Sequence, residues 1–184
     1  MNHARGYRVS DVLKDGTRVT IRAIRPDDRH RLLEAFRLLE KDSIYTRFFG
    51  YRREPSDAEL DRAVSIDFER EVALVVTTET ARGETIVASG RYVAIDGQGP
   101  ERSAEVAFTV EEDYHGRGIA SRLLTHLATL GRGQKLTRFE ADVLNQNRAM
   151  LAVFKRCGFP MRQRSASGVI HVTLELVATD NATA

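Results

Sequence analysis

Residues 104–124, AEVAFTVEEDYHGRGIASRLL, place a buried strand, an acidic turn, a glycine-rich turn and the start of a helix in immediate succession. A helix opening on glycine leaves its first backbone N–H groups without side-chain partners, and such a terminus is a ready anion site. Gly116, Gly118 and Ala120 are small enough to let a ligand approach the backbone. From His115 to Phe139 there is no acidic residue, while Arg117, Arg122, Arg132, Lys135 and Arg138 are basic. The turn is not the dinucleotide pattern G-x-G-x-x-G, since the third glycine is missing. It is not a P-loop, since Gly-Lys-Ser/Thr is missing. The same residues also suit a tight turn with a solvated basic helix face, and the pattern alone leaves both readings open.

The flanking chain supplies a sheet and further helices. Two β-prone runs, 7–13 and 17–24, flank Lys14-Asp15-Gly16 and read as a hairpin, with Val19, Ile21 and Ala23 on one face. Pro26-Asp27-Asp28 opens a helix whose stripe is Leu32, Leu33, Phe36 and Leu39, the acids capping it and suiting its dipole. An aromatic segment, 43–50, reads as a second short helix. Ser56 and Glu59 form a capping box before Leu60, Ala63 and Val64. Strands follow over 72–78 and 86–95, joined near Arg82-Gly83, and Gly97-Gln98-Gly99-Pro100 breaks the chain before a strand over 101–111. A helix over 118–130 buries Ile119, Leu123, Leu124 and Leu127. A strand over 137–143 and a helix over 147–157 come next, the helix burying Met150, Val153, Phe154 and Cys157. Gly158 stops that helix, and Phe159 can pack back on Phe154. A last strand spans 169–177.

This order predicts an α+β fold, a mixed and mostly antiparallel sheet of six or seven strands flanked by helices, with room for a hairpin strand at each end. The 184 residues read as one domain, 1–184, with loose ends at 1–6 and 178–184. A net charge of +2 gives no case for nucleic acid. One cysteine, Cys157, excludes an internal disulfide and a cysteine-based zinc cluster. His3, His30, His126 and His171 lack metal spacing, so no metal is expected. No apolar leader precedes the first strand, and the longest central aliphatic run is Val72 to Val76. Cytoplasmic location and no membrane partner are therefore expected. For the same reason the glycosylation acceptor pattern at Asn181 carries no weight.

The segment from Ala104 to Phe159 resembles the Gcn5-related N-acetyltransferase (GNAT) superfamily. Its signature Arg/Gln-x-x-Gly-x-Gly/Ala falls on His115, Gly118 and Ala120, with histidine departing at the first position. A second element, asparagine followed by aromatic-x-x-x-Gly-Phe, falls on Asn147, Phe154, Gly158 and Phe159. The N-terminal half, in Ile21-Arg22-Ala23-Ile24-Arg25-Pro26-Asp27-Asp28 and Ser43-Ile44-Tyr45-Thr46-Arg47-Phe48-Phe49, resembles the acetyltransferase domain of bacterial Pat-type protein lysine acetyltransferases. Those enzymes commonly carry a second domain, for which this chain is expected to have no room.

The resemblance implies a GNAT fold with a V-shaped splay between central strands, and acetyl-CoA as co-substrate. The pyrophosphate would lie on the turn that His115 and Gly116 open, on the backbone N–H groups of Arg117, Gly118, Ile119, Ala120 and Ser121. The pantetheine would run along Phe108, Thr109 and Val110 like an added strand, and Asn147 would bond it, a role compatible with capping its own helix. Phe154 is implied at the position where many relatives carry a tyrosine acid, so a water or another hydroxyl serves, or CoA leaves as thiolate. Glu105 is implied as the base that deprotonates the amine, its carboxyl partly desolvated in the cleft. Glu111, Glu112 and Asp113 read as an acidic turn that shapes the entrance and attracts a cationic amine. The implied activity is acetyl transfer to a primary amine, with protein lysine first, in a monomer or homodimer. The alternatives are a small-molecule amine acetyltransferase and a non-catalytic acyl-CoA-binding module.

Overall fold

The computed structural model describes residues 4–39, 53–95 and 102–176. The expected helix over 43–50, with Arg47-Phe48-Phe49, the break at 97–100 and the tail from 178 lie outside the described residues.

The strands are β1 (Arg8–Val12), β2 (Arg18–Ala23), β3 (Glu71–Thr80), β4 (Gly83–Ile95), β5 (Ser103–Val110), β6 (Arg138–Leu144), β7 (Met161–Ala166) and β8 (Val169–Glu175). They form one eight-stranded sheet in the order β1-β2-β3-β4-β5-β6-β8-β7. Every neighbouring pair is antiparallel except β5 and β6, which run parallel. The count exceeds the expected six or seven because both ends carry their hairpin strand. β7 was the hidden one: MRQRSA is exposed along nearly its whole length at the sheet edge, so no apolar alternation marks it.

Among the described residues, four helices pack on the sheet: α1 (Arg29–Leu38), α2 (Asp57–Val64), α3 (Ile119–Gly133) and α4 (Arg148–Arg156). The Ser56–Glu59 capping box is present, the serine oxygen accepting from Glu59 N and the glutamate accepting from Ser56 N. Central strand β3 is buried on both faces from Val72 to Val76. On one face of the sheet, α3 lays Leu127 against Phe108. Gly90 makes room there, since a Cβ on it would stand 2.9 Å from Phe108 Cδ1 and 3.2 Å from Leu127 Cδ1. The alternate residues Ala107 and Thr109 face the side where α1 and α2 sit.

Pro26–Asp28 forms a short 3₁₀ turn before α1. Asp28 was expected to cap free N–H groups and suit the helix dipole; it does accept from a backbone N–H at the turn, but it is also wholly buried against Arg22 of β2. The Arg22 guanidinium donates to both carboxylate oxygens at 2.7 Å and to Glu84 Oε1 at 3.0 Å, while Arg25 N donates to Asp28 Oδ2 at 2.9 Å. Burial alone would push the Asp28 carboxyl up; the Arg22 and Arg25 donors overcome that and hold it below the usual carboxylate range. The pair pins the start of α1 to the sheet. Asp28→Asn removes the wholly buried countercharge of Arg22, leaving it the part-exposed Glu84, and should lower unfolding free energy by about 3 kcal/mol in urea denaturation at pH 7. Because the folded-state pKa is depressed, this contribution is complete above about pH 4 and is lost as pH falls further, so the gap to wild type should narrow there. A variant as stable as wild type at pH 7 contradicts this role.

Candidate active site

The β5–β6 ladder consists of three register pairs, Ser103 with Arg138, Ala104 with Phe139 and Glu105 with Glu140. Beyond them the strands diverge, while each keeps its outer partner: β5 remains paired to β4 as far as Val110, and β6 to β8 as far as Leu144. The result is a wedge-shaped cleft of about 570 Å³. One wall is β5 from Glu105 to Val110, the other is Ala141 to Val143, and the glycine turn closes one end. The inner edge of β5 thus offers unpaired backbone groups to an extended ligand.

Helix α4 lies along this cleft. Only Leu151 and Phe154 are fully buried on it, whereas Met150, Val153 and Cys157 were expected to be buried and are half-exposed. The reason for the first two is local: Met150 and Val153 line the cleft instead of the core. The Cys157 thiol donates to Phe154 O at 2.9 Å, and burial pushes its pKa up. Gly158 takes φ +80°, as the stop signal required. The Phe154 ring packs against Phe108 with centroids 6.2 Å apart and offers no proton. Asn147 caps α4, its Oδ1 accepting from Met150 N at 3.1 Å, and it also lines the cleft.

The glycine turn is built as an anion site. Gly116 and Gly118 have φ +74° and +86°, and Gly118 is the N-cap of α3 without a side-chain capping bond. No acidic residue occupies the first turn, so the amides of Ile119, Ala120 and Ser121 face the cleft end uncompensated. His115 closes the turn onto the strand, Nε2 donating to Val110 O at 2.8 Å. Arg117 turns its side chain elsewhere. It pairs with Asp15 at 2.6 Å, donates to Asp113 O at 2.7 Å and lies 4.7 Å above the Tyr114 ring. Any role for Arg117 toward an anion is thus confined to its backbone. Lys14, passed over in the sequence, lines the same end of the cleft.

Glu105 stands where the ladder ends and lines the cleft, but it is exposed, not partly desolvated as expected. Its parallel neighbour Glu140 shares its face, as does Asp142, and His171 lies within 3.3 Å of Glu140 and 2.7 Å of Asp142. A second cavity of about 430 Å³ lies under α1 and α2, walled by Leu32, Phe36 and Leu60. Ala107 and Thr109 line both this cavity and the cleft. Glu111, expected in an acidic turn at the entrance, lines this second cavity, and burial raises its carboxyl pKa. Arg91 and Glu71 form an ion pair in the same cavity, where burial lowers the Arg91 pKa. Among the described residues no group of three or more His, Cys, Asp or Glu could hold a metal ion, and no helix is long and apolar enough to cross a membrane.

Residues 35–159 match the family model described as the acetyltransferase (GNAT) family. The acetyltransferase PA5475 of Pseudomonas aeruginosa is 31% identical over 147 residues, covering 80% of this chain and 77% of that protein. The acetyltransferase Pat of Mycolicibacterium smegmatis is 32% identical over 160 residues, covering 87% of this chain but 46% of that protein. The crystal structure of the GNAT domain of S. lividans PAT superposes with a TM-score of 0.82 at 32% identity, covering 91% of this chain and 96% of that one.

A Cβ on Gly118 would stand 2.8 Å from Arg122 Nη1 in a left-handed conformation. Gly118→Ala should therefore cost about 1–2 kcal/mol of stability and weaken acetyl-CoA binding at least tenfold in calorimetric titration, by roughly that scale of strain plus displaced amides. Gly83→Ala is the control: Gly83 has φ +88° in open space away from the cleft, so it should show the stability cost with unchanged binding.

Proposed function

The chain belongs to the acetyltransferase (GNAT) family and is an acetyl-CoA-dependent N-acetyltransferase, and from that premise we propose that it acetylates a lysine side chain of a protein, with Glu105 as the base. The observation that carries the reading is the pair of cavities that Ala107 and Thr109 both line, one suited to an extended thioester arm and one to an amine on an apolar stem. Acetyl-CoA, when bound, supplies the activated acetyl group as a thioester. The residues for it are the amides of Ile119, Ala120 and Ser121 for the pyrophosphate, the edge of Phe108, Thr109 and Val110 that β6 leaves open, Val110 O already taken by His115, for the pantetheine, and Asn147, whose amide N–H₂ remains a donor after its oxygen caps α4.

The acceptor enters as an ammonium and must lose a proton before its nitrogen can attack. Leu32, Phe36 and Leu60 suit the methylene stem of a lysine, and Glu111 at the rim attracts its charge. Glu105 lies on the same sheet face as Ala107, one strand step away, and takes the proton directly or through a water. Backbone N–H groups near Phe108 to Val110 offer the donor for the developing oxyanion. Phe154 is apolar, so the leaving sulfur departs as thiolate or takes its proton from water.

Glu105→Gln should lower kcat for a lysine peptide by about 10²-fold near neutral pH while the acetyl-CoA Kd stays within about twofold. Thiol release is to be measured in parallel over lysine peptides, polyamines and amino acids. Wild-type turnover in the variant removes Glu105 as base, and turnover confined to free small amines replaces the protein acceptor with a small-molecule one.

A further inference from the structure

The β1–β2 hairpin reaches across the sheet to the glycine turn, and its contacts there are specific. Its tip is set by backbone bonds from Leu13 N to Thr17 O at 2.8 Å and from Gly16 N to Leu13 O at 3.0 Å, with Asp15 Oδ1 accepting from Thr17 N at 3.1 Å. Two ion pairs moor it to the phosphate end of the cleft. Asp15 holds Arg117, and Asp11 holds Arg122, each at 2.6 Å, and Arg122 also donates to Val12 O at 3.0 Å. Between these moorings stands Lys14. It lines the cleft, and its Cε lies 3.4 Å from where a Cβ on Gly118 would be.

The moorings matter for charge. Arg117 and Arg122 are the basic residues of the turn and of the first helical turn, and both spend their charge on hairpin carboxylates. Among the described residues, the lysine and arginine side chains that line the cleft are Lys14 and Arg156. Arg156 ends α4, whereas Lys14 packs over the N-cap residue of α3. The hairpin therefore exchanges places with the turn. Its aspartates neutralise the turn's arginines, and its lysine brings a cation to the amides of Ile119 to Ser121.

We propose that Lys14 is a coenzyme-binding residue, an ammonium clamp delivered by the β1–β2 hairpin onto the pyrophosphate of acetyl-CoA opposite the N-terminus of α3. This rests on the reading of the cleft as the acetyl-CoA site and adds to it a residue about 100 positions upstream of the signature. A compact ammonium suits the place, since it adds point charge to an anion already held by directional backbone donors. The side chain is exposed, so its removal leaves no buried group unpaired.

The test compares wild type, Lys14→Ala and Lys14→Arg on three ligands: acetyl-CoA, acetyl-dephospho-CoA, which keeps the pyrophosphate, and S-acetylpantetheine, which lacks it. The first two are read by calorimetry and the third as kcat/KM. Lys14→Ala should weaken acetyl-CoA and acetyl-dephospho-CoA about tenfold each, leave S-acetylpantetheine unchanged and melt as wild type does, with Lys14→Arg restoring most of the affinity. The assignment is overturned if acetyl-CoA binds Lys14→Ala as it binds wild type. It is overturned if the loss disappears with acetyl-dephospho-CoA, which would move the contact to the 3′-phosphate, or if S-acetylpantetheine suffers equally. Wild-type protein that binds no acetyl-CoA overturns the functional reading itself, a result distinct from all of these.

Discussion

The parallel ladder between β5 and β6 stops after Glu105 and Glu140, and the site follows from that stop. Neither strand can close the gap by shifting, because each is fully committed on its outer edge, β5 to β4 and β6 to β8. The α4 side chains Met150, Val153 and Phe154 line the opening and keep it apolar. An unpaired strand edge inside a protein costs free energy unless something bonds it. A ligand with amide groups along an extended arm is the natural partner, and the free amides of the α3 N-terminus fit the charged end of the same ligand. Cleft and phosphate turn are thus two ends of one continuous segment.

The N-terminal part of the chain supports this segment from the side. Arg22 and Asp28 lock β2 to the start of α1, and α1 forms a wall of the second cavity. The β1–β2 hairpin, carried on the same sheet, holds Arg117 and Arg122 through Asp15 and Asp11. The buried pair acts on stability and the hairpin pairs act on the electrostatics of the turn. Half-buried surface pairs of the second kind contribute modestly to folding, so their interest lies in where they put charge.

Much of this was legible in the sequence because it depends on local rules. The Ser56–Glu59 box, the left-handed Gly158, the glycines at 116 and 118, and the arrival of Glu105 on the strand before the turn are each specified within a few residues. What stayed hidden is long-range or edge-placed. β7 carries no alternation because the sheet edge exposes it. Asp28 looked like a dipole partner, since its buried guanidinium lies six residues upstream on another element. That the Arg117 side chain is tied up was equally invisible, since its partner Asp15 is about a hundred residues away. Lys14 stayed without a role for the same reason: a hairpin tip acquires meaning only once the cleft is placed beside it.

The claim that organises the rest is that the edge of β5 left free by β6 is where acetyl-CoA binds. Backbone amide hydrogen exchange with and without acetyl-CoA tests it most directly. Slowed exchange in residues 106–110 and 118–121, with edge strand β7 unchanged, is the predicted result. Binding of acetyl-CoA that leaves both of those segments exchanging as before would contradict the account.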